Sequence, residues 1–200
     1  IADQIASMGS NLLIVLSGSS TSGGLRFGSG TVPTLTVDDA KAIVNEIPGV
    51  KYVAPTLGGG AQVVFGNQNW STIINGTTPE ALEIRDWPVA EGRTFTQQDI
   101  DGATKVCILG QTVVDNLFGG IDPIGQIIRI KMVPFTVIGV LAPKGQSTQG
   151  QDQDDTIIVP LTPAQKRLFG MQFPGMVRLI LVQARAPEVM KDVENQINDL

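Results

Sequence analysis

Apolar positions along the chain follow two periods, and the period decides which element each segment predicts. A spacing of three or four residues predicts helices over residues 1–8, 36–47, 113–118, 161–170 and 189–200. Short apolar or alternating runs predict strands over residues 11–16, 50–55, 61–66, 70–76, 105–109, 125–132, 135–141, 156–160 and 177–184. The chain therefore mixes helices with strands, and its elements are short and separated by many turns.

Capping residues mark the start of several predicted helices. Thr36 and Asp39 have the spacing of a capping box, in which each side chain bonds the backbone N–H of the other residue. The same pattern recurs in TQQD, residues 96–99. Thr162 is predicted as the N-cap of the helix over residues 161–170.

The order of the elements indicates a split domain. A strand followed by a helix occurs at both ends of the chain, and the segment between them is rich in strands. We expect residues 1–60 and 171–200 to form one α/β subdomain, into which residues 61–170 are inserted as a mixed, strand-rich subdomain. Residues 17–31 form a Gly/Ser tract with few apolar side chains to bury, and we expect this tract to be mobile.

Charge and composition argue against several functions. The net charge is -5 and the 14 basic residues are scattered, so the chain has no basic stripe for a nucleic acid. The chain has no histidine, which removes Ser-His-Asp and Cys-His catalysis and histidine-bearing zinc sites. It also lacks a Walker nucleotide motif and a dinucleotide fingerprint. Cys107 lies in an apolar run and is predicted to be a buried, unreactive thiol.

The segment KGQSTQGQDQDD, residues 144–155, is a polar loop between two predicted strands and allows three interpretations. Its carboxylates Asp152, Asp154 and Asp155 could hold a cation, but the EF-hand register requires glycine and glutamate where the chain has isoleucine and proline. Lys144 and Ser147 could form a catalytic dyad, although side chains in such a loop are usually solvated. A contact surface for another protein is the interpretation that we favour.

Two groups of side chains carry this contact hypothesis. The first is the glutamines of the polar loop, whose amides both donate and accept hydrogen bonds: Gln146, Gln149, Gln151 and Gln153. The second is Met171 and Phe173, which lie in the aperiodic segment MQFPGM, although a loop that packs on its own domain is an equal alternative. Asp154 and Asp155 are predicted to be structural. Trp70 and Trp87 are predicted to pack in the core rather than anchor a partner.

The chain ends suggest a piece of a longer protein. The longest apolar runs are far shorter than the roughly 20 residues that span a bilayer. Helical spacing at the beginning of the chain and a last predicted helix that continues to the final residue indicate that neither end is a natural terminus. We expect a domain that is hung between flanking membrane helices outside residues 1–200.

Six segments, taken in order, carry a likeness to a known family: MGSNLLIV, LTVDDAKAIVNEIPGVKYVAP, GNQNWSTIINGTTPEALEIRDWPVAEGRTFTQQDI, VCILGQTVVDNLFG, DPIGQIIRIKMVPFTVIGVLAPKG and GQDQDDTIIVPL. In order and spacing they resemble the periplasmic core domain of MacB-type ABC transporters. The resemblance covers nearly the whole chain and is poorest in the Gly/Ser tract.

The resemblance implies an α+β fold with a porter-like α/β subdomain and an inserted, strand-rich subdomain called the sabre. It implies a periplasmic domain tethered to the inner membrane by two flanking helices. In this family, ATP bound by a separate cytoplasmic domain moves the periplasmic domain, and the full-length transporter is a homodimer. MacB works with the adaptor MacA and the outer-membrane channel TolC. The implied function is therefore efflux of drugs or peptides with a MacA-like adaptor and a TolC-like channel, and this chain itself would hold no catalytic site, cofactor or metal.

Alternatives to this function stay open. Related transporters release lipoproteins, sense antimicrobial peptides or activate cell-wall hydrolases. A metal-dependent enzyme built on the carboxylates of the polar loop is a further class, which would require a bound ion.

Overall fold

The computed structural model describes residues 4–7, 11–16, 21–22, 25–26, 35–146, 150–171 and 174–199. The strands in these ranges are β1 (Gln4–Ser7), β2 (Leu12–Leu16), β3 (Thr21–Ser22), β4 (Leu25–Arg26), β5 (Val50–Phe65), β6 (Gln68–Thr77), β7 (Val89–Gly92), β8 (Val106–Leu109), β9 (Ile127–Ile130), β10 (Val133–Leu141), β11 (Thr156–Pro160) and β12 (Leu179–Ala184). The helices are α1 (Val37–Glu46), α2 (Glu80–Ile84), α3 (Gln97–Asp101), α4 (Gln111–Leu117), α5 (Leu161–Pro163) and α6 (Met190–Asn198). A π-helical segment (Ala164–Leu168) continues α5, and a 3-10 turn (Pro187–Val189) precedes α6.

The chain packs into two compact units. Residues 1–56 and 171–200 form unit 1, and residues 57–170 form unit 2. Strand β5 begins in unit 1 and continues into unit 2.

Unit 1 combines an antiparallel sheet with helices α1 and α6. Its strand order is β1-β2-β12-β5, and each neighbouring pair is antiparallel. The capping box predicted for α1 is confirmed, because Thr36 Oγ1 accepts from the N–H of Asp39 at 3.2 Å and Asp39 Oδ2 accepts from the N–H of Thr36 at 2.9 Å. Each helix buries an apolar stripe, which contains Ile43 in α1 and Val193 and Ile197 in α6.

The helix predicted over residues 1–8 is wrong in the part that the structure describes. Gln4–Ser7 is strand β1, which pairs with β2 in a register that sets Gln4 opposite Leu16. Three apolar residues at helical spacing are a weak signal in so short a segment, whereas the edge of β2 offers backbone N–H and C=O groups for pairing. The Gly/Ser tract lies outside the described residues except for β3 and β4, which pair with each other, so its predicted mobility stays a prediction.

Unit 2 is a ring of strands around one apolar core. The strand order is β5-β6-β11-β8-β10, and β9 pairs with both β10 and β5, so the ladder returns to its first strand. Strand β7 pairs with the C-terminal part of β10. Closure leaves few unpaired backbone groups along the ring.

Alternate residues of the ring strands point inward and are buried, as the period of two requires. These residues are Val63, Ile74, Cys107, Leu109, Ile128, Ile130, Phe135, Val137, Ile157 and Val159. Helix α4 and the π-helical segment complete the core with Val113, Val114, Leu117, Phe118, Ala164 and Leu168. Burial of each large apolar side chain stabilises the unit by about 1.5–3 kcal/mol.

The helix predicted over residues 161–170 forms, but not as a capped α-helix. Only Leu161–Pro163 is α-helical, and the π-helical segment follows. Thr162 is not the N-cap, because its hydroxyl donates to the carbonyl oxygen of Ile100 at 2.6 Å. The hydroxyl predicted to cap the helix therefore forms a hydrogen bond with a residue 62 positions away in the chain.

Candidate contact surface

The carboxylates of the polar loop hold its two ends together. Asp154 is only 7% exposed, and its two oxygens accept hydrogen bonds from the backbone N–H groups of Lys144 at 2.7 Å and Gly145 at 2.9 Å. Asp152 accepts from the N–H of Asp154 at 2.9 Å and from the hydroxyl of Thr112 at 2.6 Å. These charge-assisted bonds stabilise the loop from inside.

Asp155 ties the polar loop to the ring of strands. Its Oδ1 accepts from Trp70 Nε1 at 2.8 Å and from the hydroxyl of Thr72 at 2.7 Å. The prediction that Asp154 and Asp155 are structural is therefore confirmed. Within the described ranges, no group of three or more His, Cys, Asp or Glu side chains is arranged to hold a metal ion.

Lys144, the first residue of the polar loop, packs against Trp87. Trp87 is buried and its Nε1 donates to the carbonyl oxygen of Ala142 at 2.7 Å, which confirms the prediction that it packs in the core. Lys144 Nζ lies 4.9 Å from the centre of the Trp87 ring and donates to the carbonyl oxygen of Arg85 at 2.9 Å. Burial, followed by the charge of Arg85, lowers the pKa of Lys144. The other member of the suggested dyad, Ser147, lies outside the described residues.

The glutamines of the polar loop have different surroundings. Gln146 is exposed and forms a backbone bridge with Asp152, while the N–H of Gln153 donates to the carbonyl oxygen of Gly145 at 3.1 Å. Gln151 is exposed, and Gln149 lies outside the described residues. Their role in contacting a partner stays a prediction.

The second predicted contact group, Met171 and Phe173, belongs to unit 1. Met171 is 38% exposed, whereas Phe173 lies outside the described residues. Met176, at the end of the same segment, is buried and bridges Thr36 through the backbone. The described part of this segment thus contains one exposed and one covered methionine.

A strained turn, which the sequence pattern does not reveal, presents another methionine. Residues 131–132, which we call the hairpin tip, connect β9 to β10, although the sequence predicts a strand over residues 125–132 and a break after it. Lys131 and Met132 have φ angles of 49° and 68°. This left-handed conformation costs a residue with a side chain roughly 1–2 kcal/mol. Met132 is nevertheless 88% exposed.

The side chain of Lys131 holds the hairpin tip in place. Its Nζ donates to the carbonyl oxygen of Leu168 at 3.1 Å and lies 4.7 Å from the centre of the Phe169 ring. Its backbone N–H donates to the carbonyl oxygen of Gln62 at 3.2 Å. The turn is therefore fixed on two sides while Met132 points to solvent.

Cys107 is buried inside the ring, as predicted. Burial raises the pKa of its thiol far above the ordinary value, because the thiolate would lose its hydration. In the part of the chain that the structure describes, no helix is long and apolar enough to cross a membrane.

Comparison with known protein families identifies the family of this chain. A family model described as the MacB-like periplasmic core domain matches residues 1–200. The chain belongs to the MacB-like periplasmic core domain family. The resemblance found in the sequence is thereby confirmed.

Relatives of the MacB-like chain are named as export proteins. The macrolide export ATP-binding/permease protein MacB of Syntrophobacter fumaroxidans is 47% identical over 197 residues, which are 98% of this chain and 27% of that protein. The pyoverdine export ATP-binding/permease protein PvdT of Pseudomonas aeruginosa is 41% identical over 182 residues, which are 91% of this chain and 26% of that protein. The chain spans less than a third of the length of these relatives.

Two solved structures share the fold. The periplasmic region of MacB from Actinobacillus actinomycetemcomitans matches with a TM-score of 0.75 and 19% identity over 96% of this chain and 84% of that one. The extracellular domain of the transporter YknZ from Gram-positive bacteria matches with a TM-score of 0.68 and 22% identity over 82% of this chain and 83% of that one. The predicted α+β fold, a porter-like subdomain with an inserted, sabre-like one, is confirmed.

Proposed function

We propose that this periplasmic domain docks a MacA-like adaptor and transmits ATP-driven movement to it, so that drugs or peptides leave the periplasm through a TolC-like outer-membrane channel. Flanking membrane helices would tether the domain to the inner membrane, and a cytoplasmic domain of the full-length, homodimeric transporter would bind the ATP. Membership of the family and the export functions in the names of its relatives support this proposal.

The exposed methionine of the hairpin tip is the observation that carries adaptor docking. A domain that transmits movement needs a rigid contact surface. The hairpin tip connects β9 and β10, which are both hydrogen-bonded strands of the closed ring of unit 2. The anchored side chain of Lys131 adds to this support. Met132 offers a large, adaptable apolar side chain, which suits the centre of a protein interface. Backbone strain that is held by surrounding contacts often accompanies a functional position.

The glutamines of the polar loop are proposed as additional contacts. Gln146 and Gln151 are exposed residues, and glutamine suits the polar rim of an interface, whereas an apolar anchor suits its centre. Gln149, Gln153, Met171 and Phe173 remain proposed contacts from the sequence.

Copurification of a MacA-like adaptor with the full-length transporter from detergent-solubilised membranes tests the proposal. We expect Met132→Ser to reduce the retained adaptor by about fivefold or more, the loss typical of a residue at the centre of an interface. Met171→Ser is the comparison variant: it removes the less exposed methionine of unit 1, an additional proposed contact, and should reduce the retained adaptor less than Met132→Ser. Failure of the unaltered transporter to retain any adaptor would contradict the proposal. A loss with Met171→Ser alone would contradict docking at the hairpin tip.

A further inference from the structure

Two open cavities in unit 2 share part of their lining. The first has a volume of about 520 Å³ and is lined by the turn between β5 and β6 and by the C-terminal end of α4. The second has a volume of about 370 Å³ and is lined by residues of β7, α4 and the segment before β9. Gly119 and Ile121 belong to both linings, so the two cavities are neighbours on either side of Ile121, and we call the pair the Ile121 groove.

Apolar and polar residues both line the Ile121 groove, and Ile121 is the exposed apolar residue shared by its two cavities. The rings of Phe65 and Phe118 lie with their centroids 4.2 Å apart in the first cavity. Val114 of the second cavity is part of the core beneath. Ile121 is 54% exposed between the two cavities, although it is a large apolar side chain. This arrangement suits apolar side chains that insert on either side of Ile121.

The charged residues of the groove all have the same sign. Asp115 lines the first cavity, and Glu91 and Asp122 line the second, whereas neither lining contains a lysine or arginine. Asp115 accepts a hydrogen bond from Gln111 Nε2 at 2.9 Å, and Asp122 accepts from the N–H of Ile124 at 3.1 Å. These donors are neutral.

We infer that the Ile121 groove binds an extended polypeptide segment of another protein that carries both cationic and apolar side chains. Lysine or arginine side chains of this segment lie at the three carboxylates, and its apolar side chains pack on Ile121 and the phenylalanine rings. Charge complementarity selects this occupant, because an acidic segment would be repelled and a second copy of this chain carries a net charge of -5. The inference goes beyond adaptor docking at the hairpin tip, since residues 131–132 line neither cavity.

Fluorescence anisotropy with synthetic peptides tests the inference on the 200-residue chain. The probe is a short, labelled peptide of alternating leucine and lysine, and the matched peptides replace lysine with glutamine or glutamate. We expect the leucine–lysine peptide to bind, the glutamine peptide to bind more weakly and the glutamate peptide not to bind. Sodium chloride should weaken the binding of the lysine peptide, because salt screens exposed charges.

Substitutions in the groove separate specific binding from general attraction to an acidic protein. The triple variant Glu91→Gln, Asp115→Asn, Asp122→Asn keeps hydrogen-bond acceptors and should weaken the lysine peptide by about tenfold or more, as expected for three partly screened charge pairs. Ile121→Ser should weaken all binding peptides by about fivefold. Asp101→Asn is the matched control, because Asp101 is exposed and accepts from Gln97 Nε2 at 3.1 Å in the same helical geometry as Asp115 but lies outside the groove. Thermal unfolding of each variant checks that it folds.

Several results would overturn the inference. Equal binding of the lysine and glutamate peptides would remove the role of charge. The single variant Asp115→Asn is the partner of the Asp101→Asn control, and an equal loss with these two variants would reduce the effect to net charge. Self-association in analytical ultracentrifugation that Ile121→Ser abolishes would mean that the groove holds a second copy of the chain instead.

Discussion

Replacing Asp154 with alanine is expected to destabilise unit 2 strongly. The substitution removes the acceptors of two backbone N–H groups, those of Lys144 and Gly145, from a buried position. A hydrogen bond to a charged group contributes about 1.5–3 kcal/mol, so the loss of two lowers the free energy of unfolding by about 3 kcal/mol or more. For a chain of this size, that loss corresponds to a fall in melting temperature of about 6–12 °C.

Urea unfolding followed by tryptophan fluorescence measures the change in free energy of unfolding in unit 2. The only tryptophans of the chain, Trp70 and Trp87, both belong to unit 2. Asp154→Asn should have a smaller effect, because the amide keeps one oxygen acceptor. Asp101→Ala is the control, since an exposed carboxylate with one side-chain bond should change stability by no more than about 0.5 kcal/mol.

The reasoning about Asp154 would be refuted by an unchanged urea midpoint in Asp154→Ala. An equally large loss in Asp101→Ala would also refute it, because the effect would then come from net charge rather than from the two buried hydrogen bonds. A loss in Asp154→Ala without any loss in Asp154→Asn would show that the charge of the carboxylate is irrelevant.

Two further predictions concern the hairpin tip and the buried thiol. Met132→Gly should raise the free energy of unfolding by about 1 kcal/mol, because glycine adopts a φ of 68° without strain, and the same urea assay checks it; a destabilised variant would show that the turn is not strained. Burial raises the pKa of Cys107, so above pH ~8.5 the thiol ionises only in the unfolded chain and stability falls by up to about 1.4 kcal/mol per pH unit. Cys107→Ala lacks this contribution, so its stability should fall less steeply between neutral and alkaline pH; equal slopes would contradict the argument.

Local sequence signals predict the structure correctly where the interacting residues are close together in the chain. The capping box of Thr36 and Asp39 spans three residues, and both of its bonds form as predicted. The buried stripe of α1 and the inward residues of the ring strands follow from periods of 3.6 and 2. Asp154 and Asp155 precede a strand and are structural, as their position indicates.

The candidate contact residues are harder to find from the sequence because exposure depends on what covers a residue. Met132 lies in an apolar run that predicts a strand, and Lys131 and Met132 lack the glycine or asparagine that marks a two-residue turn. Anchoring of Lys131 at Leu168 makes the strained turn possible, and this partner lies 37 residues away in the chain. The groove around Ile121 likewise joins residues of β5, α4 and β7 that no local pattern connects.

The amino-acid sequence alone determines the type of most helices and strands and which of their faces are buried, because these follow from periodicity. Composition excludes catalysis by histidine, and the order of the motifs indicates the transporter family. Tertiary structure decides that residues 4–7 pair as a strand, that β9 closes the ring onto β5 and that Met132 and Ile121 remain exposed. Closure pairs Val63 with Ile130, which lie far apart in the chain, and β1 pairs with an edge of β2 whose other edge is held by β12. The free energies of these pairings are gained only when the whole unit packs, so no local segment encodes them.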